Sequence, residues 1–359
     1  MTWISPGIEV SNGAGGWQAM MAWQICLRPY KEWINSRWGF NASVLLEEAL
    51  DRLKLFIESQ YVIDFDFQVE CRNQRSVVLR SINYPQKGLS LGLLGKIYAA
   101  SEQQIYTDAL AFGREMESVF PHDFFLHRAS TEQEFRQVNG SSILDGTNLD
   151  VSIVAIRRGD VFVKEFQTMP RFSGFWQAST RSSEQIWRAL AGTDRPSLFS
   201  VSLRPTVIYE QERQFLLEAR QNVANLDKQQ NQTSSLALYQ SWAESYLKRR
   251  LTPWKKFFNL HVHVAMIGEM DESLPRNIGA AITRDIGEQS LPGFRIVTPQ
   301  SGKESIAWRR EILQMNALPL FTRLDEIADL EEAFSVFRLP YLPETGLPNV
   351  KFVCPDKEQ

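Results

Sequence analysis

The chain has 359 residues, is 43% hydrophobic and 23% charged, and carries a formal net charge of −3. That composition excludes a disordered chain, and a length beyond about 250 residues divides apolar groups between cores, so two domains are expected. The slightly acidic balance excludes a global attraction to phosphate backbones and leaves only local basic patches for nucleic acid.

Taken in chain order, the first forty residues carry little pattern. Trp3, Trp17 and Trp23 lie there, and large aromatic groups need a core or an interface, so they either fold back onto the first domain or cover a partner. A strand or short helix is expected over 20–27. An amphipathic helix follows over 42–59, with Leu45, Leu46, Leu50, Leu53 and Phe56 at helical spacing. Strict alternation from Ile63 to Cys71 predicts a strand, with Asp64, Asp66 and Glu70 on its solvent face. Returning strands are expected over 76–82 and 89–98. Ser101 with Gln104 three positions on opens a helix that Pro121 closes.

Beyond a short helix and loop in 129–150, strands are expected over 151–156 and 161–166. Ser182 and Gln185 read as a second capping box, followed by a strand over 198–203. Arg204, Pro205 and Thr206 would turn the chain into a helix over 210–223, and a second helix over 236–250 follows a polar connection. A strand over 259–267, a helix within 274–286, a strand over 294–297 and a helix over 304–315 continue the alternation. A last helix over 325–337 meets the prolines of 338–343, which would leave an extended connector. The fold class expected is α/β, with mixed α+β admitted: helix-covered sheets in two domains plus a C-terminal connector. The boundaries are an N-terminal attachment (1–60), a first α/β domain (61–205), a helical region (206–257), a second α/β unit (258–324) and the terminal helix and connector (325–359).

Chemical motifs are sparse. Neither Gly95–Lys96 nor Gly302–Lys303 completes a phosphate-binding loop, because the required first glycine and the hydroxyl after the lysine are missing. His261 and His263 share one face of their strand and form the minimum of a two-histidine metal arm, with Glu269 and Asp271 as conceivable additions; the plain alternative is a polar sheet face. His122, Asp123 and His127 read as structural or surface groups, since nothing nearby positions a substrate. Cys26, Cys71 and Cys354 lack paired metal-ligand spacing and suggest a reducing compartment more than a disulfide scaffold. The start lacks a signal-peptide pattern, and no apolar run approaches the roughly 20 residues that span a bilayer. The expectation is therefore a cytoplasmic chain, at most peripheral to a membrane-bound or DNA-bound machine. No catalytic, cofactor or metal residue is assigned, and the chain is expected not to be an enzyme.

Four passages, GLSLGLLGKIYAASEQQIYTDALAFGREMESVFP, VSIVAIRRGDVF, RPSLFSVSLRPTVIYEQE and EEAFSVFRLPYLPETGLP, resemble the non-catalytic N-terminal regions of HerA/VirB4-like ATPases, over about residues 60–345. The resemblance implies an accessory or assembly role for a hexamer-forming P-loop motor of DNA translocation or secretion, with the motor domain itself absent. Its implied protein-contact residues are Arg204, Pro205, Phe337, Arg338, Pro340 and Tyr341. Its partners would be a P-loop ATPase or other motor subunits, with a homo-oligomer compatible. The basic residues Arg249, Arg250, Lys255, Lys256 and Arg309, beside Trp254 and Trp308, support the alternative of a DNA-binding accessory protein. A metal-dependent hydrolase centred on His261 and His263 is the third reading.

Overall fold

The computed structural model describes residues 2–4, 7–13, 16–28, 42–63, 75–145, 150–162, 169–179, 182–226, 234–283, 293–318, 322–341 and 346–354. The alternating stretch 63–71, with its carboxylates and Cys71, falls almost wholly outside them.

The fold is mixed α+β, built on one large sheet. Strands β1 (Thr2–Ile4), β2 (Ile8–Gly13) and β3 (Gly16–Leu27) run along one side. Next come β4 (Arg75–Tyr84) and β5 (Gly88–Ala99), joined as a hairpin, and the short β6 (Phe124–Arg128). The remaining members are β7 (Val151–Arg158), β10 (Ser197–Thr206), β11 (Phe257–Ile267) and β12 (Phe294–Val297). The order across the sheet is β1-β2-β3-β5-β4-β10-β11-β7-β12, with β6 on β3, β13 (Ile327–Asp329) on β11, and β14 (Phe352–Val353) on β5. Every pair but β14 with β5 is antiparallel. The strands β8 (Asp160–Val161) and β9 (Phe172–Ser173) form a separate two-stranded sheet. The regions 61–205 and 258–324 thus contribute hydrogen-bonded neighbours, β10 and β11, to a single sheet.

Period two in the strands sorts side chains onto two covered faces. Trp23, Leu79, Leu93, Val201 and Val262 face helices α1 (Ala42–Ser59), α2 (Glu102–Val119), α5 (Glu184–Ala191), α8 (Ser273–Ile282) and α11 (Leu330–Val336). Met20, Ala22, Val78 and Leu94 face α3 (Glu132–Asn139). Beside them, Ile82, Leu198 and Ala265 meet α4 (Ser141–Leu144) and α9 (Gly302–Leu313). Helices α6 (Glu210–Leu226) and α7 (Ser234–Leu251) pack on each other around a second cluster with Phe172 and Phe175. Trp23 is fully buried and donates to Glu117 Oε1 at 3.0 Å, so this end of the chain folds back onto the sheet.

Four local expectations change. Arg204, Pro205 and Thr206 stay in β10, opposite Asn259, Phe258 and Phe257. Pairing with β4 ends at Leu203, so the strand has an open side where a residue without N–H is tolerated. The helix expected over 325–337 is interrupted: α10 (Arg323–Glu326) ends, β13 pairs with β11, and Asp329 caps α11 through a capping box with Glu332. Ser182 does not form a capping box, because its hydroxyl donates to Ser179 O and the helix starts at Glu184. The segment beyond Pro343 ends in β14 rather than in a bare connector.

Candidate metal centre

Three distant segments meet at one end of β3. Gln24 and Cys26 project from the same face of that strand. His127 of β6 lies directly across from Gln24, and Phe125 across from Cys26. His127 and Cys26 are therefore diagonal neighbours on one face, a separation of about 7–8 Å between Cα atoms that long side chains close. The third segment is β14. Phe352 pairs with Leu89 and Val353 with Ser90, which carries Cys354 to the end of β3. The approach is tight. Leu89 N donates to Lys351 O at 2.7 Å, Gln24 Nε2 donates to Val353 O at 3.5 Å, and Ser90 Oγ donates to Gln24 Oε1 at 3.2 Å.

The result is a cluster in which the ligand atoms of Cys26, His127 and Cys354 all lie within 4.8 Å of one another. Cys26 and Cys354 are joined as a disulfide, with Cα atoms 5.3 Å apart across a sequence separation of 328. Cys26 is buried, whereas His127 is only partly so. A cavity of about 420 Å³ opens beside the cluster, lined by His127, Gln24, Ser90, Tyr84, Lys87 and Glu134. The Glu134 carboxyl is held below its usual range by hydrogen bonds from the Ser130 backbone and hydroxyl and the Thr131 backbone. The Arg28 guanidinium lies 4.3 Å over the Phe125 ring, placing a cation beside the residue that faces Cys26.

Once the disulfide is reduced, two thiolates and an imidazole would make the donor set of a three-ligand zinc site, with a fourth position for water or substrate. This corrects two expectations from sequence. Cys26 and Cys354 do pair in space despite their spacing, and a group that could hold a metal ion is present where none was assigned, which overturns the expectation of a chain with no group suited to catalysis. His127, read as a structural or surface group, is its third member. A strand over 20–27 was one of two readings of the sequence; the register that brings β14 alongside had no sequence signal.

The other singled-out residues lie elsewhere. His261 and His263 do face one side, with rings 6.2 Å apart. Among the described residues, they do not belong to a three-ligand group. His261 Nε2 lies 3.1 Å from Glu326 Oε2. His263 is pushed down to about 3 by burial, with the neighbouring His261 and Arg80 adding to it, so it stays neutral. Asp123 accepts from Arg52 Nε at 2.9 Å and Nη2 at 2.7 Å.

The basic residues are engaged internally. Arg250 is buried and donates to Glu332 Oε2 at 2.7 Å. Arg249 and Lys255 both pair with Asp329, at 2.6 and 3.0 Å, and Lys256 pairs with Glu58 at 2.6 Å. Arg309 is buried. Of the residues implied as protein contacts, Arg204 donates to Tyr98 Oη at 3.2 Å, and Pro205 and Pro340 are buried. Phe337 packs 6.2 Å from Phe56, Arg338 lies over Phe334 at 4.0 Å, and the Tyr341 hydroxyl donates to Ala49 O at 2.9 Å. No family model and no curated protein matches the chain. Among the described residues, no helix is long and apolar enough to cross a membrane.

Proposed function

We propose that this chain is a metal-dependent hydrolase whose zinc-class ion is held by Cys26, His127 and Cys354. The observation that carries the reading is the convergence of the three ligand atoms within 4.8 Å at the edge of a cavity that His127 also lines. Soft thiolates with imidazole favour zinc and disfavour magnesium or calcium, which take oxygen donors. Held by Cys26, His127 and Cys354, such an ion would supply Lewis-acid chemistry and would acidify a water toward hydroxide near neutral pH. Gln24, Ser90 and Lys87 line the space a substrate would enter and offer both donors and acceptors. The metal reading requires the cysteine pair reduced, because a metal ligand is the thiolate. It moves the hydrolase alternative from His261 and His263 to a site that sequence spacing concealed. The accessory role in a HerA/VirB4-like motor, the partner ATPase and the DNA contact stay proposals from resemblance and charge alone; no feature of the described residues favours them over the metal site.

The test is metal analysis of protein purified under thiol reductant, followed by turnover of activated ester and phosphoester probes. Retention of one zinc per chain is expected, with loss in Cys26→Ser, Cys354→Ser and His127→Ala, and hydrolysis that a chelator removes and zinc restores. A folded, reduced chain that retains no zinc overturns the metal reading. Zinc retained without turnover of any probe overturns the hydrolase assignment.

A further inference from the structure

The same two sulfurs serve two incompatible bonds. Cys26 and Cys354 are joined to each other, yet with His127 they also form the one group of described residues within metal-binding range. A sulfur in a disulfide carries no thiolate charge, so the pair cannot hold a zinc-class ion while it is oxidised. From this juxtaposition, and resting on the metal reading above, we infer that the centre is redox-gated. Two-electron oxidation by a small disulfide links Cys26 to Cys354 and expels the metal, and reduction by a thiol reopens the site.

The placement of the two cysteines sets the order of events. Cys26 is buried in β3, whereas Cys354 follows the two-residue strand β14 and reaches solvent. An incoming disulfide RSSR therefore meets the Cys354 thiolate first. The Cys354 sulfur attacks one sulfur of RSSR; a Cys354–SR bond forms and one RS⁻ leaves. The Cys26 thiolate then attacks the Cys354 sulfur; the Cys26–Cys354 bond forms and a second RS⁻ leaves. Two protein thiolates have lost two electrons in total, and one RSSR has become two RS⁻. With both anionic ligands gone, the His127 imidazole is a single donor and cannot retain the ion.

The fold makes this exchange possible without rebuilding the sheet. Only Phe352 and Val353 pair with β5, and Phe352 rests edge-on against Trp187 with centroids 6.4 Å apart. The segment that bears Cys354 can shift by the small amount that separates a bonded pair of sulfurs from two ligands around one ion. The rest of the sheet is spanned by longer ladders, such as the ten paired positions of β10 with β11.

The experiment uses the full chain with Cys71→Ser, so that two thiols remain and thiol counts are unambiguous. The reduced, zinc-loaded protein is treated with oxidised glutathione in the presence of a chromogenic zinc indicator. The expected result is release of one zinc for every two thiols lost, with a Cys26–Cys354 linked peptide in the digest and zinc rebinding after reduction. Failure of the reduced, folded protein to take up zinc overturns the metal reading and this inference with it. Zinc uptake followed by retention through full oxidation, or release with glutathione adducts and no Cys26–Cys354 link, leaves the metal reading standing and overturns the gate alone.

Discussion

Gly88 opens β5 with φ near +119°, and a Cβ placed on it would meet Lys351 O at 2.4 Å. Both the backbone conformation and the close approach need glycine, and both are used to seat the segment that ends in Cys354. Gly302, by contrast, begins α9 with open space where a Cβ would sit. Gly88→Ala is therefore expected to cost about 1–3 kcal/mol locally. If that cost falls on the docking of β14, zinc affinity in the reduced state drops about 10- to 100-fold, whereas Gly302→Ala leaves it unchanged. Competition with a zinc chelator of known affinity measures both. Equal affinities for the two variants would mean that β14 docking does not set the geometry of the centre.

Among the elements, the interrupted segment from α10 to α11 is held by charges rather than by propensity. Glu332 is fully buried and receives Arg158 Nη1 at 2.5 Å and Arg250 Nη1 at 2.7 Å. Burial opposes its charge, but the two guanidinium groups outweigh that and keep its carboxyl below the usual range. Asp329, capping the same helix, is likewise penalised by burial and held down by Arg249, Arg250 and Lys255. These pairs tie α7, β7 and α11 together, three elements far apart in sequence. Removing one partner of a buried ion pair leaves uncompensated charge, so Glu332→Ala is expected to lose about 3–5 kcal/mol of stability. Urea denaturation would read this directly, and a loss below about 1 kcal/mol would show that water rehydrates the arginines. The same network explains what sequence did and did not reveal. Helix α1, the Ser101 cap of α2 and the cores of β4, β5, β10 and β11 follow local periodicity, and they form where that periodicity places them. The break at Ile327–Asp329 depends on pairing with Phe257–Asn259, a contact that no local pattern encodes. The basic run at 248–250 looked like a surface for phosphate, because its acidic partners lie some eighty residues on. The candidate metal centre was hidden for the same reason: its candidate ligands come from 26, 127 and 354, and only sheet register brings them together.

At the scale of the whole molecule, β14 joins the last described residues to the sheet at β5, in parallel, while every other ladder is antiparallel. A ladder of two residues is a weak tether, and the Cys26–Cys354 bond strengthens it, as a metal held by the two reduced sulfurs would. A disulfide closing so long a loop stabilises by about 2–4 kcal/mol, chiefly through the unfolded chain. A bound ion at about 100 times its dissociation constant contributes roughly 2.7 kcal/mol by mass action. The reduced, metal-free chain should therefore be the least stable of the three forms, by a margin of that order against each of the others. Deleting residues 350–359 removes β14 and Cys354 but leaves Leu347 in the main core. The shortened chain is expected to keep the helix and sheet content of the parent while its melting temperature no longer responds to reductant or to zinc. Calorimetric scans of both chains in oxidised, reduced and zinc-loaded conditions make the comparison. A shortened chain that still gains stability from zinc would place the metal at other ligands, and one that loses its sheet would make β14 part of the folding core rather than a strap across its edge.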